Sequence, residues 1–431
     1  MEEEAFFTKS INFSNYEISK KDKNILRGLA EKKAEIASIS FHNEKMKMWE
    51  KLNNLQEVKP LVWICEIPWH EMDTDSELKN TTTTDFSRFL ETRLRRTIYQ
   101  WKYMKADMVV EPKLPCYLTI KDSGFGITEN IKTVRIDNQS DIISKDYISQ
   151  IKNEDDIGKI RFPKITYDKK STEMMYQSML DIFDGILTIE KKGIPGLSFA
   201  FWDQLIEWYG VQEALTDLAL RPAFIHKVLK RLLNACQVQL DQYENYNLLA
   251  LNNGSYRTSS GGLGYTDELP QKDFNLSQVR AIDMWGSSAS QIFSGVSPAM
   301  HEEFALQYEI QYLERFGLNY YGCCEPLDGK INILRKIPRL RKISMSPWVD
   351  LNEGAEKIGK DYVFSWKPNP AIFAVDNWDP DYIKKDFSDN LKKIKNCRVE
   401  IIMKDISTVR YKPQRLWEWT KIALEETGKI C

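Results

Sequence analysis

Arg341-Lys-Ile-Ser-Met-Ser346, Tyr362-Val-Phe-Ser-Trp-Lys367 and Arg398-Val-Glu-Ile-Ile-Met-Lys404 are three short runs rich in apolar residues, each closing on a polar side chain. Helical segments at about 351–359 and 379–394 separate them. Short strands joined by long, mostly helical connections are the pattern of a parallel sheet, because a parallel partner can be reached only by a crossover.

The same unit recurs toward the N-terminus, in Leu318-Asn-Tyr-Tyr-Gly-Cys-Cys324, Tyr246-Asn-Leu-Leu-Ala-Leu-Asn-Asn-Gly254, Gly196-Leu-Ser-Phe-Ala-Phe-Trp202, Asp107-Met-Val-Val-Glu-Pro-Lys-Leu114 and Pro60-Leu-Val-Trp-Ile-Cys-Glu-Ile-Pro68. The runs 61–67, 107–113, 197–202, 247–253, 318–323, 341–346, 361–367 and 398–404 predict eight strands, and eight βα units predict an α/β fold of the closed (β/α)8 TIM-barrel kind. Val279-Arg-Ala-Ile-Asp-Met-Trp-Gly286 follows a Gly/Ser-rich loop and is not among the eight. Residues 1–58 are expected to form an N-terminal helical cap and 59–431 the barrel. The charged stretch 115–178, with short β-like runs, is expected to be an excursion inserted after the second strand. An open doubly wound sheet would carry a Gly-x-Gly-x-x-Gly turn after a strand, and there is none.

The 431 residues hold 60 Lys plus Arg against 62 Asp plus Glu. No excess of basic charge is available to hold a phosphate backbone, so nucleic acid is not an expected partner. A hydrophobic content of 42% with 12% aromatics supports a folded core. No run approaches the ~18 apolar residues of a membrane span. The acidic start Met1-Glu-Glu-Glu-Ala lacks the order of a signal peptide, and seven scattered cysteines are not a disulfide framework. A cytoplasmic protein with no membrane partner is expected. The four histidines form no His-Glu-x-x-His pair.

Barrel enzymes place their chemistry where strands run out at their C-terminal ends. Those positions hold Glu66 and Glu111, candidate acid–base groups together with Asp405, and Lys367 and Lys404, which could stabilise an anion or a leaving group. Cys323 and Cys324, with His70, are candidate zinc ligands. Adjacent strand residues face opposite ways, so the two sulfurs meet only if the backbone bends there. Trp63, Trp69, Trp285 and Trp348 are candidate walls for a small ligand, although tryptophan is equally a packing residue. Asn252, Tyr321 and Asn369 complete the expected substrate-binding set. The Ser259–Gly264 loop reads as a flexible lid.

Several segments resemble a known family in order and spacing. Lys59-Pro-Leu-Val-Trp-Ile looks like the opening strand of the uroporphyrinogen decarboxylase (URO-D) superfamily, and Tyr103-Met-Lys-Ala-Asp-Met-Val-Val like its helix-to-strand entry. Ser297-Pro-Ala-Met-His-Glu-Glu-Phe-Ala-Leu-Gln-Tyr is similar to its "SPE.FEEF..PY" helix, and Tyr321-Gly-Cys-Cys-Glu to its "H.CG" strand end. The resemblance implies a (β/α)8 barrel. True decarboxylases of this family grip substrate carboxylates with an arginine-bearing run after the first strand. Here Ile64-Cys-Glu-Ile-Pro-Trp-His-Glu has no arginine. The resemblance therefore points to the corrinoid-dependent methyltransferase branch, with a methyl group moving between a small methylated substrate and a separate corrinoid protein. The corrinoid would be carried by that partner, since the chain has no Asp-x-His-x-x-Gly segment. Thiol-methylating members use a His-x-Cys and a later Cys for zinc; here Gly322 stands at the histidine position and Lys404-Asp405 at the later cysteine, which leaves zinc open. A lyase decarboxylating a small or porphyrin-like acid and a non-catalytic tetrapyrrole- or corrinoid-binding barrel are the alternatives. A homo-oligomer is compatible with each.

Overall fold

The computed structural model describes residues 13, 15–134, 144–275 and 277–430. Its strands are β1 (Leu61–Ile64), β2 (Lys113–Tyr117), β3 (Ile120–Asp122), β4 (Ile131–Val134), β5 (Ser144–Tyr147), β6 (Ile165–Tyr167), β7 (Thr188–Lys192), β8 (Ser198–Phe199), β9 (Trp285–Ser288), β10 (Leu318–Tyr321), β11 (Leu340–Met345), β12 (Val363–Trp366) and β13 (Arg398–Met403). Seven of them form one parallel sheet in the order β1-β13-β12-β11-β10-β9-β8.

Alternation along the strands explains how that sheet is covered. Successive side chains point to opposite faces, so Ile343, Met345, Phe364, Trp366, Ile401 and Met403 share one face and are buried there. The helices Pro380–Lys393 and Gln414–Thr427 close over it through Phe387, Leu391, Leu416 and Trp419. Each such side chain contributes roughly 1.5–3 kcal/mol of burial. The opposite face carries Lys342, Ser344, Ser365, Lys367, Glu400 and Lys404, all buried. It is a polar interior.

This interior is filled from the N-terminal side. Trp49, on the helix Phe41–Asn53, is fully buried and donates from Nε1 to the Asp107 carbonyl at 2.8 Å. Gly261 and Gly262 lie beside it. A Cβ on Gly261 would come within 2.6 Å of Glu400 Oε1, and one on Gly262 within 2.4 Å of the Trp49 ring, so only glycine fits at this approach. The Ser259–Gly264 loop expected to be a lid is therefore a packed plug, with Ser260 through Gly264 buried.

Two expected strands are not strands of this sheet, and a third is cut short. At 107–113 the Asp107 carboxylate occupies the place of a ladder acceptor: Val62 N donates to Asp107 Oδ2 at 2.7 Å, while Asp107 N donates to the Val62 carbonyl at 3.1 Å. Lys45 and Lys59 flank that carboxylate at 2.9 and 3.6 Å. At 247–253 the Asn252 side-chain amide brackets Trp285, accepting from its N–H at 2.8 Å and donating to its carbonyl at 3.0 Å. Ser255 Oγ donates to the Val109 carbonyl at 3.2 Å. These two segments flank β1 and β9 largely through side chains, and no ladder closes the sheet among the described residues. At 197–202 the strand stops after two residues and the helix Phe201–Tyr209 begins. Conversely, the uncounted Trp285–Ser288 is a strand of the sheet, paired on both sides.

The stretch after β2 holds an antiparallel β3/β6 pair and an antiparallel β4/β5 pair, while β2 and β7 pair in parallel apart from the main sheet. The helices Lys20–Ala37 and Phe41–Asn53 precede β1. Among the described residues no helix is long and apolar enough to cross a membrane.

Candidate functional site

Register brings the strand ends level. Ile64 pairs with Met403 and Met345 with Trp366. The next residues continue the ladder: Cys65 N to the Met403 carbonyl at 3.0 Å, Lys367 N to the Met345 carbonyl at 2.8 Å and Gly322 N to the Ser288 carbonyl at 2.8 Å. Residues just beyond β1, β9, β10, β12 and β13 thus share one rim.

The chain turns sharply after β10. Gly322 has φ +95°, and a Cβ there would meet Leu327 at 2.4 Å. The bend swings both following cysteines to one side, with their sulfurs 3.5 Å apart. The Cys323 backbone is fixed on both sides: its N–H donates to Glu325 Oε2 at 2.9 Å and its carbonyl accepts from Ser344 Oγ at 2.7 Å. Glu325 also accepts from Ser290 N at 3.2 Å, which ties this turn to the segment after β9.

Lys404 is the charge at the centre of the rim. Its Nζ lies 2.6 Å from Asp405 Oδ2, 3.4 Å from Glu66 Oε2, 3.8 Å from Cys323 Sγ and 4.0 Å from Cys324 Sγ. Glu66 in turn pairs with Arg257 at 3.1 Å and accepts from Asp405 N at 3.1 Å. Arg257 also donates to Cys65 Sγ at 2.8 Å, and Ser260 Oγ lies 3.1 Å from Cys323 Sγ. Lys367 sits deeper and donates to Tyr320 Oη at 2.8 Å and Ser344 Oγ at 2.7 Å.

These neighbours set the protonation states. Burial alone would raise Glu66, but the Lys404 ammonium and Arg257 guanidinium hold it down at about 2. Burial opposes the charge on Lys404, yet Cys323, Glu66 and Asp405 outweigh it and hold its pKa above the ordinary range. Lys367 has no carboxylate partner among its hydrogen bonds; burial first, and then Lys404, push it down to about 8. The Cys324 thiol favours the Cys323 thiolate by hydrogen bonding, and Lys404 supports it, so Cys323 is lowered while Cys324 is raised. The rim thus offers a thiol whose ionisation is favoured, beside a lysine held in its charged form, with a second lysine below that gives up its proton more readily.

Of the residues expected from the sequence, Glu66, Cys323, Cys324, Lys367, Lys404 and Asp405 come together. Glu111 pairs instead with Lys113 at 3.2 Å, on the connection between the 107–110 segment and β2. His70 lies on the surface against Glu71 and Tyr411. Trp63 and Trp285 are on the interior face: Trp63 packs against the Trp49 cluster and Trp285 donates to the Gly264 carbonyl at 2.9 Å. Trp69 stands under Arg96, whose guanidinium is 5.0 Å from its ring. Asn252 holds Trp285, as described above. Tyr321 points to the helix side and donates to Glu309 Oε2 at 2.7 Å, and His301 Nε2 lies 2.6 Å from the same hydroxyl. Burial raises that Glu309 to about 7 and lowers His301 to about 3. Trp348 is 70% exposed. Asn369 caps a short turn after β12. Among the described residues no three His, Cys, Asp or Glu side chains are arranged to hold a metal ion, and it is the Lys404 ammonium that stands beside both sulfurs.

Arg257, Ser260, Tyr320, Ser344 and Cys65 join the site without having been expected there. Ser344 and Tyr320 lie on the same sheet face as Lys342 and Lys367, so period-two alternation was a usable signal for them. Arg257 and Ser260 come from the loop that plugs the interior, and nothing local marks them. A cleft of about 480 Å³ opens beside the ends of β11 and β12, with Ser346, Lys367, Asn369 and Tyr382 among its walls. A larger groove of about 770 Å³ lies away from the strand ends, between the helices Lys20–Ala37, Asp85–Met104 and Gln414–Thr427.

No family model and no curated protein matches the sequence. Among solved structures the chain is similar to a methyltransferase from Methanosarcina mazei, with a TM-score of 0.46 and 10% identity over 89% of this chain and 98% of that one.

Proposed function

We propose that this chain is a URO-D-like methyltransferase that moves a methyl group between a small methylated substrate at the strand-end rim and a corrinoid carried by a separate, docking protein. The observation that carries the reading is Lys367, a buried amine with a pKa near 8 set beneath a rim of Lys404, Cys323 and Glu66. When a methyl group leaves a heteroatom, that atom gains electron density and needs a proton or a cation. Lys367 can supply the first and Lys404 the second. The corrinoid, on its own protein, would supply the methyl-accepting metal.

The docking protein would meet the connections that leave the rim. Trp348, Val375, Tyr382 and Tyr411 are exposed large apolar or aromatic residues, and all follow β11, β12 or β13 in the connections that leave the rim.

The test is incubation of the purified chain with a corrinoid protein and a panel of methyl ethers, amines and thioethers, following cobalt absorption. A spectral change with one class of substrate is the expected result, and silence across the panel would remove the reading. Arg257 favours one alternative, because it brings to the first strand end the guanidinium that the sequence run 64–71 lacks. A decarboxylase gripping a small acid through Arg257 and Lys404 would release carbon dioxide with no corrinoid protein present.

A further inference from the structure

We propose that Cys323 and Cys324 form a reversible oxidation site, in which a hydroperoxide converts the neighbouring thiols into a vicinal disulfide. This does not rest on the methyl-transfer reading, since it needs only the geometry of the pair. The two sulfurs are already 3.5 Å apart, on one side of the turn at Gly322. Cys323 Sγ has Ser260 Oγ at 3.1 Å and Lys404 Nζ at 3.8 Å, which favour an anion there, and Cys324 Sγ has Asp405 Oδ2 at 3.6 Å. A sulfur that is cation-flanked, partly accessible and set next to a second thiol is the arrangement of redox-responsive cysteines. Cys116, Cys236 and Cys397 are buried in the core and lack these neighbours.

The chemistry balances with the peroxide as oxidant. The Cys323 thiolate attacks the terminal peroxide oxygen; an S–O bond forms, the O–O bond breaks, and the departing alkoxide takes a proton from Lys404 as it leaves as an alcohol. Cys324 then gives its proton back to Lys404 and attacks the sulfenic sulfur. The S–S bond forms, and hydroxide leaves and takes a proton from solvent as water, so that Lys404 keeps the proton it regained. The sulfur pair loses two electrons and the peroxide gains them. Adjacent Cα atoms are only about 3.8 Å apart, below the usual disulfide span of roughly 4.4–6.8 Å. The product is therefore strained and easily reduced. Oxidation would remove the thiolate beside Lys404 and change the charge of the rim.

The full chain treated with hydrogen peroxide should lose about 2 Da, mapped by peptide mass spectrometry to Cys323–Cys324 and restored by dithiothreitol. Cys324→Ser should stop at a sulfenic acid trapped by dimedone, Cys323→Ser should give neither product, and Lys404→Met should slow the loss about tenfold. The wild-type mapping decides even if a variant does not fold. No mass loss at this pair, a disulfide linking Cys65 instead, or Cys323→Ser oxidising as fast as wild type would overturn the proposal.

Discussion

Replacing Glu400 with glutamine strands a lysine in the sheet interior. Lys342 Nζ and Glu400 Oε2 are 2.8 Å apart and neither side chain has any exposure to solvent. Around Lys342 stand the rings of Trp285 and Trp49, at 5.4 and 5.9 Å. Burial already pulls the Lys342 pKa down, against the pull of Glu400 in the other direction. With the carboxylate gone, the cheapest response is loss of the lysine proton. From an ordinary pKa near 10.4, neutralising the amine at pH 7 costs about 4.6 kcal/mol, which is the ceiling on the destabilisation. The sign follows from linkage. A lysine neutral when folded and charged when unfolded binds more protons in the unfolded state, so stability rises with pH until the unfolded pKa is passed. The penalty should fall by about 1.4 kcal/mol per pH unit, to about 1.9 kcal/mol at pH 9. Guanidinium unfolding of Glu400→Gln and wild type at the two pH values measures it. The double variant Lys342→Met, Glu400→Leu removes both charges and should recover most of the loss. An equal penalty at both pH values, or one below about 1 kcal/mol at pH 7, would show that the pair is not held dry as a unit.

Three further outcomes are expected. If Lys367 is the proton donor, methyl transfer should fall as pH rises through about 8, where its ammonium is lost, and Lys367→Met should remove that limb of the pH–rate profile. Glu66, held at about 2, contributes stability that is complete above its ordinary carboxylate value and is lost as pH falls toward 2; Glu66→Gln should flatten the acid side of the stability profile, read by thermal melts in a pH series. Trp49→Ala empties the bottom of the interior and should cost about 3–5 kcal/mol, seen as a lower guanidinium midpoint.

The last three strands of the sheet were legible because alternation and burial agree in them: Lys342-Ile-Ser-Met and Ser365-Trp-Lys367 put polar side chains on one face and apolar ones on the other. Their ends carry Lys367, Lys404 and Asp405, which is why these side chains could be read from the strand pattern. Two of the failures have a common cause. In 107–113 and 247–253 a side chain, Asp107 or Asn252, takes over hydrogen bonds that the backbone would otherwise make, and hydropathy does not register such a substitution. The cysteine pair was visible in sequence, but its convergence depended on the positive φ of Gly322, which composition alone does not declare. Arg257 precedes the Ser259–Gly264 loop and no local pattern marks it; it reaches the rim because two glycines dock that loop against Glu400 and Trp49.

That docking gives the molecule a lever. One short segment is wedged at its far end under the Trp49 indole and holds Arg257 and Ser260 at its near end, against Cys65, Glu66 and Cys323. Whatever shifts the wedge must retune the sulfur and carboxylate chemistry above it. Substitutions in the helix Phe41–Asn53, remote from the rim, are thereby placed among those able to change reactivity.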